Sequence, residues 1–251
     1  FETFKNNSRK FITNQSHPLT APLSSQWAND FATDTSHDAG YAASDFKQVG
    51  MEISFKLNNQ SFSLHLPGKH NMENAIAATA VAHQLGVDLA TCAAALKEYQ
   101  GIYRRHQILG QKNGVWMIDD YAHNPVKCAA AIAACQPIAP KVVAWFQPHG
   151  YKPTKFLRAD FVKELAAILR PEDEIWMSEI FYAGGTAVKD ISANDLINDL
   201  KALSKQAYFV EDRNAFIETV RPHLGNNTVL LLMGARDPSL EQFAKESWEK
   251  L

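Results

Sequence analysis

Apolar and polar residues alternate with a period of two over residues 51–57 and again over 61–66, with Asn58, Asn59 and Gln60 between them. Alternation of this kind marks strands with one buried face, and asparagines tolerate the positive φ of a tight turn, so a β-hairpin is predicted. Pro67-Gly68 breaks the second strand. Residues 71–85 then carry small apolar side chains so densely that they read as a helix packed closely against another layer, and a second helix is predicted over about 89–99. Residues 1 to about 50 are polar and rich in turn residues, and read as short elements joined by loops. Beyond Gly101 the texture changes to strand followed by helix, repeated. Strands are predicted at 115–119, 142–146, 174–177, 207–210 and 229–233, and helices start near Pro125, Thr154, Ser192, Arg213 and Pro238. Proline suits a first helical turn, and Ser192 with Asp195 three residues on suits a cap. Such repetition builds a parallel sheet with helices on its faces, so the chain reads as α/β with a boundary near Gln100 and Gly101.

Composition narrows the function classes. With 251 residues, 46% of them hydrophobic, there is ample material for a core. Its 25 basic and 27 acidic residues give a net charge of −2 and are scattered, so no positive stripe invites nucleic acid. The longest apolar runs are strand-sized and no membrane span is predicted; a cytoplasmic location is the default expectation. Cys92, Cys128 and Cys135 lie in alanine-rich helical stretches without paired spacing, and read as buried free thiols. The first residue is Phe1, with no signal-peptide pattern behind it, and further sequence is expected upstream.

In an open parallel sheet, ligands bind where strands end and helices begin. The first such loop packs Asp119, Asp120, Tyr121, His123 and Asn124 between an apolar strand and Pro125. A helix cap needs one polar residue, not five, so this loop is the leading candidate for chemistry, with carboxylates to order a ligand and an imidazole to move a proton. The next loop holds Gln147, His149, Lys152 and Lys155; its lysines either hold an anion near a helix start or are surface charges. Upstream, His70, Asn71 and Asn74 open the alanine-rich helix, where the asparagines bind a ligand or cap the helix. Arg104 and Arg105 follow the boundary, where adjacent arginines clamp phosphates or pair with acids.

Taken in order, His70-Asn71 with Asn74, the Gly101–Arg105 segment, residues 119–125 and the Phe146-Gln147-Pro148-His149 loop resemble the Mur ligase family of cell-wall amide-bond ligases, from about Gly50 to the chain end. The resemblance implies that residues 1–99 are the later part of a central ATPase domain and that 100–251 form a C-terminal Rossmann-like, mainly parallel domain. It further implies ATP with Mg2+ held mainly upstream, an acyl phosphate intermediate, and UDP-N-acetylmuramate as substrate with an amino acid or a tripeptide. By the same resemblance His70, Asn71, Asn74, Arg105, Asp120, Tyr121 and Asn124 lie at ATP, Asp120 and His123 are catalytic, and Tyr121, His123, His149, Lys152 and Lys155 face the substrate. The members closest in the Phe-Gln-Pro-His loop add L-alanine or reattach a recycled tripeptide. The L-alanine-adding members carry two arginines where this chain has Gly150 and Pro153.

The family's glycine-rich phosphate loop ending in Gly-Lys-Ser or Gly-Lys-Thr does not occur in the sequence, so the chain alone is expected not to turn over. A noncatalytic binding module derived from this fold is the competing reading. A nicotinamide or flavin protein fails, since no Gly-x-Gly-x-x-Gly follows any strand; Gly234, before Ala235, Arg236 and Asp237, is a lone glycine turn.

Overall fold

The computed structural model describes all residues, Phe1–Leu251, which divide into two compact units, Phe1–Gln100 and Gly101–Leu251. No helix is long and apolar enough to cross a membrane.

The first unit opens with a short helix α1 (Glu2–Asn6) and contains a sheet in the order β1 (Phe31–Ala32), β2 (Tyr41–Val49), β3 (Glu52–Leu57), β4 (Gln60–Leu64). The hairpin is β3 and β4, antiparallel, with Asn58 at φ 48° and Asn59 at φ 65° in the turn that the asparagines foreshadow. Helix α2 (Lys69–Gln84) follows Gly68, and α3 (Leu89–Lys97) is capped by Asp88, whose carboxylate accepts the Thr91 amide at 2.8 Å. Phe55, Phe62, Met72 and Ile76 pack in one core between sheet and helices. Strand β2 is longer than the loop-rich reading of residues 1–50 allows. Its inward side chains begin with Tyr41 and Ala43, and a register shift at Ser44–Lys47, with Asp45 at φ 54°, breaks the alternation that would have revealed it.

The second unit is a six-stranded sheet with order β5-β6-β10-β7-β8-β9, formed by β5 (Gln107–Lys112), β6 (Val115–Asp120), β7 (Lys141–Gln147), β8 (Glu174–Met177), β9 (Gln206–Phe209) and β10 (Thr228–Gly234). All neighbours are parallel except β5, which runs antiparallel on the edge. The five parallel strands stand where the apolar runs predict them. Strand β5 is the addition, and its cause is distant in sequence: Gly110, at φ 140°, leaves room for the Trp248 ring, whose nearest atom would lie 3.0 Å from an added Cβ.

Helices α4 (Pro125–Cys135), α5 (Tyr151–Ile168) and α6 (Ala193–Ala202) contact one another in series, while α7 (Phe216–Val220) and α8 (Leu240–Lys250) share a core with Val115, Met117, Val143, Trp145, Leu230 and Leu232. These six residues alternate along β6, β7 and β10, so one sheet face meets α7 and α8. Three helix starts match residue chemistry: Asn124 caps α4 before Pro125, Ser192 and Asp195 form a capping box on α6, and Arg213 opens a single 3-10 turn leading into α7. Helix α5 begins earlier than Thr154, because Gly150, at φ 74°, turns the chain directly into Tyr151. Helix α8 begins at Leu240, two residues after Pro238. All three cysteines are free and buried.

Candidate active site at the strand ends

Strand β10 lies between β6 and β7, pairing Met233 with both Asp120 and Phe146 and Gly234 with Gln147. The chain leaves these three adjacent strands at the same edge, and the loops that follow carry Tyr121 to Asn124, Pro148 to Gly150, and Ala235 to Ser239. This is the edge at which α/β sheets bind ligands.

Beneath the first loop sits a buried ion pair. Arg104 donates from Nε to Asp119 Oδ2 at 2.9 Å and from Nη2 to Asp119 Oδ1 at 3.3 Å, and also to the Gly234 carbonyl at 3.1 Å. Burial pushes the Asp119 carboxyl up and the Arg104 guanidinium pulls it back. Asp120 is engaged by backbone: its oxygens accept the His106 amide at 2.7 Å and the Ala122 amide at 2.6 Å. With His106 Nδ1 a further 3.7 Å from Oδ2, Asp120 fixes the turn that presents its neighbours. Asn124 caps α4 through the Lys127 amide.

Tyr121 and His123 are half-buried. The guanidinium carbons of Arg104 and Arg105 lie 5.4 and 5.3 Å from the Tyr121 ring centroid, within cation–π range. The Arg105 side chain is otherwise exposed. His123 Nδ1 lies 2.9 Å from the Tyr121 carbonyl oxygen. A carbonyl can only accept, so Nδ1 carries the proton, and the neutral ring keeps its lone pair on Nε2. The His123 ring is 5.6 Å from the Tyr121 ring and 5.7 Å from the His149 ring.

His149 is held by the second loop, which is pinned to the segment after β8: Gly150 donates to the Phe181 carbonyl and Phe181 to the Pro148 carbonyl, each at 2.8 Å. Its Nδ1 is buried without a hydrogen-bond partner. Burial, His123 and Arg236 together push the His149 imidazole down, favouring the neutral ring. Lys152 and Lys155 are exposed near the start of α5, and Lys155 forms an ion pair with Asp190.

In the first unit, His70, Asn71 and Asn74 occupy the first turns of α2. Gly68 is the N-cap, and Asn71 Nδ2 donates to the Pro67 carbonyl at 2.8 Å, so neither asparagine caps the helix in the usual sense. Asn74 is exposed.

The third loop was not read from the sequence as a site. It holds Arg236 and a network in which Arg213 donates to Gln147 Oε1 at 2.9 Å and pairs with Asp237 and Ser239. The signal was available: Gly234 to Asp237 follows a strand, as the two searched loops do. Arg104, not Arg105, proves to be the buried partner of Asp119, a distinction that two adjacent arginines conceal. No group of three or more His, Cys, Asp or Glu side chains is gathered as a metal-binding cluster.

Residues 104–236, just over half of the chain, match the family described as Mur ligase, glutamate ligase domain. A UDP-N-acetylmuramate--L-alanine ligase of Acidithiobacillus ferrooxidans is 36% identical over 174 residues, covering 68% of this chain and 37% of that protein. Among solved structures, the UDP-N-acetylmuramate-alanine ligase MurC of Thermotoga maritima superposes with a TM-score of 0.77 at 27% identity, covering 99% of this chain and 53% of that one. MurF of Acinetobacter baumannii shares the fold, with a TM-score of 0.72 at 20% identity over 95% of this chain and 51% of that one. The chain thus spans about half or less of the length of these relatives. The strand-end loops that hold Tyr121, His123 and His149 all fall inside the matched region, and the chain belongs to the Mur ligase family.

Proposed function

We propose that this chain is part of an ATP-dependent ligase of peptidoglycan synthesis that joins L-alanine to UDP-N-acetylmuramate through an acyl phosphate. The observation that carries the reading is the placement of the His123 and His149 rings 5.7 Å apart beyond the ends of β6 and β7, with Tyr121 beside His123. Residues 1–99 belong, in this reading, to a central ATPase domain whose phosphate-binding loop is outside this sequence.

The chemistry asks little covalent help from the protein. ATP, a substrate here, gives its γ-phosphoryl group to the muramate carboxylate. The amine nitrogen of alanine then attacks the activated carbonyl carbon, the C–N bond forms, the C–O bond to phosphate breaks, and the nitrogen gives up a proton. His123, whose Nδ1 faces the Tyr121 carbonyl and leaves Nε2 for the substrate, is placed to take that proton. His149, kept neutral by burial, orients the amino acid without repelling its ammonium form. Asp120, assigned to catalysis and to ATP by the family resemblance, also fixes the turn through the His106 and Ala122 amides. Arg105, exposed beside Tyr121, is available to a phosphate oxygen, and Tyr121 and Asn124 border the same place. Orientation of this kind supplies much of the barrier reduction in amide ligation. His70, Asn71 and Asn74 are assigned to the nucleotide by the family resemblance, and Lys152 to the substrate.

The test is phosphate release by the protein in which this chain is joined to a phosphate-binding loop. ATP, magnesium and UDP-N-acetylmuramate are supplied with either L-alanine or the tripeptide L-alanyl-γ-D-glutamyl-meso-diaminopimelate, and the isolated 251-residue chain is the blank. Release that depends on L-alanine supports the proposal. Release that depends on the tripeptide replaces it with the recycling reaction, and release with neither favours a binding module built on the same fold.

A further inference from the structure

Loops leave the sheet at this edge after β7, β8, β9 and β10, and one side chain ties them together. Arg213 belongs to the single 3-10 turn that follows β9. Its Nη1 donates to Gln147 Oε1, at the end of β7, at 2.9 Å and also pairs with Asp237 beyond β10, while Nη2 donates to Ser239 Oγ. Gln147, itself buried, uses its other end on the neighbouring segment: Nε2 donates to the Glu179 carbonyl, after β8, at 3.2 Å. A line of hydrogen bonds therefore crosses the sheet end from the turn after β10, through Arg213 and Gln147, to the segment after β8.

The line is braced from the core and largely shielded from water. The Arg213 side chain is 18% exposed and that of Asp237 4%, so the charge-assisted bonds between them are stronger than those of a surface pair. The Arg213 guanidinium carbon stands 5.6 Å from the Phe243 ring centroid, and the Phe243 ring lies 4.6 Å from that of Trp145, two residues before Gln147 on β7. Asp237 also accepts the Ser239 amide at 2.9 Å, which shapes the turn after β10. Beyond Gln147 only Pro148, His149 and Gly150 precede α5, and Pro148 and Gly150 are both bonded to Phe181 in the segment that Gln147 reaches. Removal of the Arg213 guanidinium leaves a buried amide oxygen on Gln147 unpaired, at the root of the loop that carries His149.

We propose that Arg213 is a positioning residue of the site. Through Gln147 it fixes the short loop that carries His149, and through Asp237 it fixes the turn after β10, so that the two loops keep one spacing. Arginine suits the task because a planar fork addresses an amide, a carboxylate and a hydroxyl at once, which a point charge does not. The consequence for turnover rests on the ligase reading, whereas the placement of His149 does not.

The test starts with the 251-residue chain, labelled at its histidine rings and followed by NMR. Arg213→Met keeps an aliphatic stem against Phe243 and removes the guanidinium. It is expected to move the His149 ring resonances while those of His65 and His83, in the first unit, stay in place. Gln147→Met should move His149 as well, and the double variant should move it no further than the larger single effect, because both substitutions cut the same link. Asp237→Asn, a milder change away from that loop, should move His149 in the same direction by a smaller amount, and it carries the test if Arg213→Met does not fold. An unmoved His149 ring in Arg213→Met or in Asp237→Asn, or effects of Arg213→Met and Gln147→Met that simply add, would overturn the proposal even if the melting temperature falls. An arginine that served stability alone would lower that temperature without moving the ring.

In the phosphate-release assay, Arg213→Met should lower turnover at saturating substrates by about tenfold to a hundredfold, with KM for ATP within about twofold of the parent. A displaced His149 with undiminished turnover would sink the positioning role. Absence of release in the parent protein is instead a failure of the ligase reading, and the NMR comparison then decides the role of Arg213 by itself.

Discussion

The two edges of the six-stranded sheet use buried polar groups in opposite ways. At the edge where β7 and β8 begin, Glu174 accepts Lys141 Nζ at 2.7 Å, Trp176 Nε1 at 2.9 Å and His223 Nδ1 at 3.1 Å. Its neighbour Asp173 accepts the Val142 amide at 2.9 Å, Gln136 Nε2 at 2.9 Å and the Arg170 guanidinium. Every carboxylate there has its partners. At the edge where β6, β7 and β10 end, Arg105 and Arg236 have no acid facing them and His149 keeps a buried nitrogen unpaired. Satisfied networks hold a fold together, whereas unsatisfied groups are kept only where something else will satisfy them. The first edge is built as structure, and the second is the one we propose for the chemistry.

The sharpest way to break this contrast is Arg104→Ala, because Arg104 lies at the working edge yet is fully paired. It should behave as structure and cost about 3–5 kcal/mol in urea unfolding, since Asp119 is left as an uncompensated buried charge. A loss under about 1 kcal/mol, the size of an exposed ion pair, would mean that the pair is not what holds β6 to the loop. Next in size, His123→Ala should lower turnover of the ligase reaction by about 100-fold while the melting temperature of the chain hardly moves. A fall in melting temperature with activity per folded molecule intact would place His123 on the structural side of the comparison.

The structural edge makes its own prediction about acid. Burial opposes ionisation of Glu174, but hydrogen bonds from Lys141, Trp176 and His223 outweigh it and hold the carboxyl below its usual value; Asp173 is lowered in the same way by Arg170, the Val142 amide and Gln136. A carboxyl lowered in the folded state binds fewer protons there than in the unfolded chain. Its stabilisation is therefore present above the unfolded pKa and is lost as pH falls through the folded one. Unfolding free energy should decline below about pH 4, and Glu174→Gln should flatten that decline while costing about 1–3 kcal/mol near neutrality. An unaltered acid limb in Glu174→Gln would remove Glu174 from the account. The smallest effect comes from Asn124→Ala, which deletes the cap on α4 and should cost about 1 kcal/mol, read as a shifted urea midpoint with an unchanged slope.

The working edge was only partly legible in the sequence, and the reason differs by residue. Strands β6, β7 and β10 are buried on both faces and announce themselves as apolar runs, so the loops after them could be searched directly, and that search found Tyr121, His123 and His149. Strand β5 carries Gln107, Gly110, Gln111 and Lys112, too polar to stand out, and its place depends on a ring in α8. The ion pair of Lys155 could not be read in advance, because its partner, Asp190, lies in a loop whose position no local pattern encodes. Arg236 was passed over because a glycine turn was read for its backbone and not for the side chain that the turn carries. Pairing is what separates Arg104 from Arg105 and Lys155 from Arg236, and pairing is a property of the fold, not of the residue type.

The last strand in the chain occupies the middle of the sheet. While the polypeptide emerges from a ribosome, β6 and β7 have no shared neighbour until residues 228–234 arrive to lie between them. The unit should therefore acquire its order late, in one step that waits on its C-terminal fifth, and should expose two unpaired strand flanks until then. A stop codon ahead of Thr228 would remove the keystone and leave an aggregation-prone nascent chain, where loss of an edge strand such as β9 would merely narrow the sheet.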